Sequence, residues 1–505
     1  MIRFLRKYWF LNVLAFLLIG SSAVASGDNG DGKKIVAEDG FLHQPYLRNS
    51  IDGHVRQDDI ELGKWTIDQL HQAGRSLFVA QFTRADGAGR PGATGNGSPT
   101  RRPLGTGVDF VRTAGPDSNS CVSCHNRPNV GGAGDFVSNV FTGLASRHPV
   151  FFSVDAKFSA ERDTPELHGA GLIELLAREM TLDLHTIRTR AISEAQATQA
   201  LTKLPLITKG VEFGHIQAHP DGRVDLSGIV GVDRDLVIRP WTQKGTVTSL
   251  RTFTVTSTNL HHGMQATERF GYHLTGSHDF DRDGKSAELT RGDITALVVF
   301  QAMMPAPGRM MPNSAKQRER VSRGEQLFKK SKCSSCHMPE LPLNSTLFVE
   351  PSPFNLEGTL RQSDVAVPLR FQVPYFNQIA RKSKPIMIPL FSDLKRHKIS
   401  DAEKPHFANE TMVEGLTSID EFLTKRLWAV GNTAPFGHRG DITQMREVIL
   451  HHGGEARKAR LEFETLSRND QNDIILFLSS LQVLPPGSPE TVVAPKKPKL
   501  PYRKR

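Results

Sequence analysis

Four cysteines occur in this 505-residue chain, and all four fall in two units of one pattern, Cys121-Val-Ser-Cys124-His125 and Cys333-Ser-Ser-Cys336-His337. Two thiols three positions apart lie on one helical turn, so both can reach a single planar group, and the next residue adds an imidazole. The chemistry that uses this spacing is thioether attachment of a porphyrin through its two vinyl groups, with the histidine as axial ligand to the iron. Two covalently bound haem c groups are therefore expected, one at Cys121, Cys124 and His125 and one at Cys333, Cys336 and His337. A four-thiolate zinc knuckle or a dithiol redox pair would also use paired cysteines, but neither accounts for a histidine directly after both pairs. An even cysteine count in an exported chain normally points to disulfides, yet the two motifs use every cysteine.

The elements that must place these motifs read as a repeat. Gly74-Arg-Ser-Leu77-Phe78 precedes the first motif and Gly324-Glu-Gln-Leu327-Phe328 the second, each reading as an amino-terminal helix packed near a porphyrin. Four residues separate Phe328 from Cys333, whereas a Gly/Pro/Ser/Thr-rich stretch, 85–117, fills the first gap and reads as a surface loop. Ser467-Arg-Asn-Asp470 opens a helix whose Ile474, Ile475, Leu478 and Leu481 share a face, and Pro485-Pro486-Gly487 is expected to end the folded part. Residues 188–209 are helical in composition, and 211–251 read as short β-branched segments. Pro305-Ala306-Pro307-Gly308 marks a boundary at 305–315. The expected fold class is mainly α, with two cytochrome c-like haem domains, 61–310 and 311–485, carrying small β segments and long loops.

The ends of the chain read as address and tail. Arg3, Arg6 and Lys7 precede an apolar run from Trp9 to Ile19 and the small-x-small triplet Ala23-Val24-Ala25, so residues 1–25 read as a signal peptide and 26–60 as a linker. The run is shorter than the roughly 20 residues a spanning helix needs, so the expected mature chain has no transmembrane segment and a periplasmic location. Of the net charge of +10, three charges belong to the signal segment and six to the last ten residues. The body is near neutral and offers no basic face for nucleic acid; residues 486–505 read as a disordered basic tail.

Taken in order, several motifs resemble the di-haem oxidoreductase family, thiol oxidoreductase-like cytochromes related to bacterial di-haem cytochrome c peroxidases. The resemblance covers roughly residues 65–484. Its carriers are the two haem motifs, Gly74-x-x-Leu77-Phe78, Pro165-x-Leu-x-Gly169-x-Gly171-Leu-Ile-Glu174, Trp241-x-x-Lys244, Arg426-Leu-Trp428-x-x-Gly431 and His452-Gly-Gly-Glu-Ala456. The family's Phe-x-His-Asp-Gly-Arg stretch reads Phe436-Gly-His438-Arg439-Gly440-Asp441 here, with arginine in place of the aspartate. The resemblance implies two facing cytochrome domains, a small periplasmic electron-transfer partner and a small-molecule oxidant such as peroxide. It places His452 as distal ligand of the second iron, with His451 the alternative, although a His-His pair before two glycines also suits a helix C-cap. For the first iron the loop after Cys124 offers only His148 within range, and His261 and His262 are further candidates. The resemblance also implies an acid/base role for His261 or His262, a surface pair being the plain alternative, and a position for Trp241 on the route between haems, or simply in the core.

Asp279-Phe-Asp281-Arg-Asp283-Gly284 has the first half of a calcium loop, but position twelve is Thr290, so a calcium site and an acidic turn both fit. Met303, Met304, Met310 and Met311 are thioether ligands or packing. Three function classes follow: a peroxidase-like oxidoreductase, a non-catalytic electron carrier with two low-spin haems, and a haem sensor or assembly subunit. The second ligand of each iron separates the first two.

Overall fold

The computed structural model describes residues 49–89, 118–134, 137–140, 160–281, 283–355, 357–375, 378–379, 385–411 and 413–494. The signal segment, residues 90–117 of the long loop, His148 and the basic residues of the tail lie outside them.

Two helix crossings built on glycine organise the chain. Helix α1 (Ile67–Val79) opens with a capping box in which Thr66 and Gln69 satisfy each other's backbone N–H groups. After it come α2 (Ala170–Thr198), α3 (Arg291–Ala302), α4 (Ala315–Lys330), α5 (Met445–Leu450) and α6 (Arg468–Ser480). Gly74 of α1 lies against α3 so closely that a Cβ there would stand 1.9 Å from the Ala296 carbonyl oxygen. Gly324 of α4 meets α6 in the same way, with 1.9 Å to the Asp473 carbonyl. Four residues on from each glycine, Phe78 packs on Phe300 of α3 at 5.2 Å and Phe328 on Phe477 of α6 at 5.6 Å. The same two phenylalanines lie 6.1 Å from the His125 ring and 6.4 Å from the His337 ring. Each motif histidine is thus set by a helix pair that only glycine allows to close.

The helix at α6 begins where Ser467 was expected to cap it, its hydroxyl accepting the Asp470 N–H. Its counterpart α3 is capped by Thr290 and Asp293 and is buried from Gly292 to Ala302, so it shows no amphipathic stripe.

The architecture is mixed rather than mainly helical: the described residues carry seven sheets of two or three strands. Residues 188–209 are not helical throughout. Helix α2 stops at Thr198, with Gln199 left-handed at φ 52°, and Thr202–Thr208 pairs with Val211–Ala218 across a turn in which Lys209 and Gly210 both have positive φ. Between the second motif and α5 the chain makes short ladders, Leu341–Leu343 with Ile386–Ile388, Leu347–Glu350 with Leu369–Gln372, and Arg396–Lys398 with Glu421–Leu423. Strands of three or four residues are too short to show an alternation. Gly308–Met311 sits at the centre of a three-stranded sheet, antiparallel to Leu481–Gln482 and parallel to Thr491–Val493. The folded chain therefore runs on past Pro485-Pro486-Gly487. No helix among the described residues is long and apolar enough to cross a membrane.

Gly324→Ala forces α4 and α6 apart, and overpacking of this kind costs about 1–3 kcal/mol. Urea unfolding is expected to show that loss, while Gly53→Ala, where a Cβ meets nothing within 4 Å, leaves the midpoint unchanged.

Candidate functional site

At the second motif, Lys332 is left-handed at φ 65° and starts a single 3₁₀ turn, Cys333–Ser335, which presents both thiols to one cavity. The cavity holds about 320 Å³ and is lined by Cys333, Cys336, His337 and His452 together with apolar residues such as Phe328 and Phe463. His337 donates from Nδ1 to the Phe391 carbonyl at 3.2 Å and the Lys425 carbonyl at 3.1 Å. His452, at the end of α5, donates from Nδ1 to the Val448 carbonyl at 2.8 Å. Each imidazole therefore keeps its proton on Nδ1 and leaves Nε2 as the basic nitrogen. Burial pushes His337 down to about 4, with the charge of His452 adding to the effect, so both rings are neutral at pH 7. His451, the alternative ligand, instead stacks on His406 at 4.2 Å.

At the first motif, Cys121–Cys124 is one α-helical turn, and the His125 N–H bonds back to the Cys121 carbonyl at 3.0 Å. The His125 ring faces the Gly132 and Pro165 carbonyls without reaching hydrogen-bond geometry, and burial followed by His261 pushes it down to about 4. His261 and His262 end a π-helical turn, Thr258–His262, closed by left-handed Gly263. His262 is buried, donates from Nδ1 to the Ser118 carbonyl at 2.8 Å, and brings Nε2 to 3.4 Å from Cys121 Sγ. The pair is therefore beside the first motif rather than on the surface. Met304 packs on the loop after His125: a Cβ on Gly131 would stand 2.4 Å from its sulfur.

Between the motifs lies a buried polar seam. The Trp428 indole covers Gly169 so tightly that a Cβ there would meet it at 2.3 Å, and its N–H donates to Glu166 at 2.9 Å. Arg426 lies 5.6 Å over the Trp241 ring, which is 3% exposed. Lys244, fully buried, donates to the Ser418 and Ile419 carbonyls at 3.0 and 2.8 Å, pairs with Glu410 at 2.7 Å, and sits 3.5 Å over the Phe422 ring.

The acidic loop brings the carboxylates of Asp279, Asp281 and Asp283 within 4.8 Å of one another. Asp279 accepts the backbone N–H groups of Asp283 and Gly284, while burial pushes Asp281 up to about 7. Thr290 is committed to the α3 cap, and Glu288, two residues earlier, is buried and raised well above the usual carboxylate range by burial and then by the charge of Asp281.

The residues at the second motif fit a haem on the structure's own terms: two thiols, a buried imidazole with a free Nε2, and a second such imidazole share one apolar cavity. Sequence reasoning missed His168, buried and pushed down to about 4 by burial, which occupies an unassigned position inside the 165–174 motif. It also missed His397, held between Asp393 and Glu455 at 2.8 Å each. Burial opposes its protonation, but the bond to Asp393 outweighs it and holds His397 up to about 11. Nothing in the local pattern marks that residue.

Lys244→Met removes one of the two cations paired with Glu410 and leaves Arg162 at 2.7 Å, so the loss is expected to fall below the about 3–5 kcal/mol of a buried charge left with no partner. Denaturant unfolding of the purified variant checks this.

No protein-family model matches the chain, and no curated protein matches it. Among solved structures it is similar to Kuenenia stuttgartiensis hydrazine synthase pressurised with xenon, with a TM-score of 0.30 and 13% identity over 83% of this chain and 93% of that one. A MauG-like protein associated with microbial copper homeostasis gives a TM-score of 0.27 and 13% identity, over 53% of this chain and 79% of that one. Likeness this distant transfers neither fold nor function.

Proposed function

We propose that this chain is an exported di-haem c-type cytochrome that passes electrons from a small periplasmic protein to a small oxidant, peroxide foremost. The observation that carries the reading is the second cavity, where Cys333, Cys336, His337 and His452 converge with both imidazoles turned Nδ1-to-carbonyl. Bound haem supplies an iron that takes and gives single electrons at a potential set by its ligands and surroundings.

In this reading His337 and His452 would hold the second iron through Nε2, and two imidazole ligands would favour electron transfer over reaction with oxidant. His125 binds the first iron. The His261–His262 turn is the acid/base candidate beside it: with Nδ1 bonded to Ser118, His262 carries its basic lone pair on Nε2, suited to accept a proton and return it. Trp241 and Trp428, both buried, are the aromatic candidates for the route between the two haems. Asp279, Asp281 and Asp283 hold calcium.

One observation favours the non-catalytic alternative. His261 is close enough to His125 to depress its basicity, as His452 does at His337, and a second ligand there would close both irons.

Electron paramagnetic resonance of the oxidised and half-reduced protein separates the two. The peroxidase-like reading expects a high-spin signal that peroxide converts, with His261→Ala or His262→Ala slowing peroxide turnover by about 100-fold or more. Two low-spin haems that peroxide does not alter would leave the carrier. His452→Ala is expected to turn the second haem high-spin in either case. Chelation of calcium is expected to lower the melting temperature, as loss of any ligand bound only by the folded state does, and Asp281→Asn to abolish that response.

A further inference from the structure

One wall of the second cavity carries two buried nitrogens, on His438 and Arg426, that have no hydrogen-bond partner. His438 is 6% exposed, lines the cavity, and its Nε2 has no hydrogen-bond partner among the described residues. Arg426, 7% exposed, lines it too; its Nε finds no hydrogen bond, only a 3.8 Å contact with Glu166. Lys425 completes the wall. Leaving one such nitrogen unpaired costs about 1–3 kcal/mol, so the two on His438 and Arg426 call for a partner that arrives from outside the chain.

The electrostatics say what kind. Arg162, Lys244 and Arg439 surround His438, and with burial they push it down to about 2, so it stays a neutral ring. The acids here are already engaged: Glu410 and Glu414 pair with Arg162, Glu410 also with Lys244, and Glu161 with Arg439. Glu166 takes the Trp428 N–H and faces Arg426 and Lys425, Asp163 also faces Lys425, and His406 adds to the charge around His438. None of these acids bonds His438 Nε2, so the partner of that nitrogen comes from elsewhere.

We propose that His438, Arg426 and Lys425 form an anion subsite that receives the carboxylate side chains of the porphyrin. The inference rests on the haem reading of the second motif: thioether bonds at Cys333 and Cys336 fix the vinyl-bearing edge, so the carboxylate edge must meet another part of the cavity. His438 donates from Nε2 without adding charge, while Arg426 and Lys425 supply the countercharge. Such a subsite keeps the carboxylates ionised and offsets their preference for the oxidised iron. The three are positioning residues that set a potential.

The test uses the mature protein with haem attached, quantified by its pyridine haemochrome, and follows both midpoint potentials across pH by spectroelectrochemistry. His438→Leu is expected to lower the potential of the second haem alone and make it pH-dependent near neutrality, because a carboxylate without its donor binds protons more readily. His438→Gln, which keeps an N–H donor, restores the wild-type behaviour. If His438→Leu is poorly folded, Lys425→Met carries the same expectation. Full haem occupancy with both potentials and their pH dependence unchanged in both variants would overturn the subsite. Absence of haem from the wild-type protein would instead overturn the haem reading beneath it.

Discussion

An imidazole can serve a metal only through a nitrogen that carries no proton, and backbone carbonyls decide which nitrogen that is. At His337 two of them, from Phe391 and Lys425, hold the proton on Nδ1; at His452 the Val448 carbonyl does the same. Much of the second half of the chain serves to bring those carbonyls into place. Helices α4 and α6 close on Gly324, Phe328 fixes the distance to the motif, and short ladders route the 341–423 stretch so that Phe391 and Lys425 arrive together.

The two halves repeat the same solution with different local structure. The first motif is an α-helical turn and the second a 3₁₀ turn, yet His125 and His337 both bond back to the first cysteine's carbonyl, at 3.0 and 3.1 Å. They differ in what holds the ring: two carbonyls bond His337, while His125 lies near two without a bond and close to the His261–His262 turn. The first motif's histidine therefore has the less constrained surroundings.

Local signals in the sequence were more legible than the fold. Cysteine spacing, the Gly-x-x-Leu-Phe repeat and the Ser467 cap are local signals, and each had its structural counterpart. Helix α3 was hidden because burial on every side removes the stripe that periodicity detects, and the short strands were hidden because three residues cannot show alternation. The strand at 202–208 was masked by Ala/Thr/Gln composition and decided by the Lys209-Gly210 turn. His168 becomes a functional candidate only through its burial, His397 through its place between two acids, and the wall at His438 through Arg162 and Lys244, more than a hundred residues away. The arginine at 439 shows the same limit: as a departure from a family pattern it had no meaning until Glu161 and Asn409 appeared as its partners.

The central claim is that each motif carries one covalent haem. Intact-mass measurement of the exported protein tests it most directly, beside the double variants Cys121→Ala with Cys124→Ala and Cys333→Ala with Cys336→Ala. The account predicts the added mass of two haems for the natural chain and of one haem for each variant. A chain with unmodified thiols, or one that gains zinc instead, would contradict it.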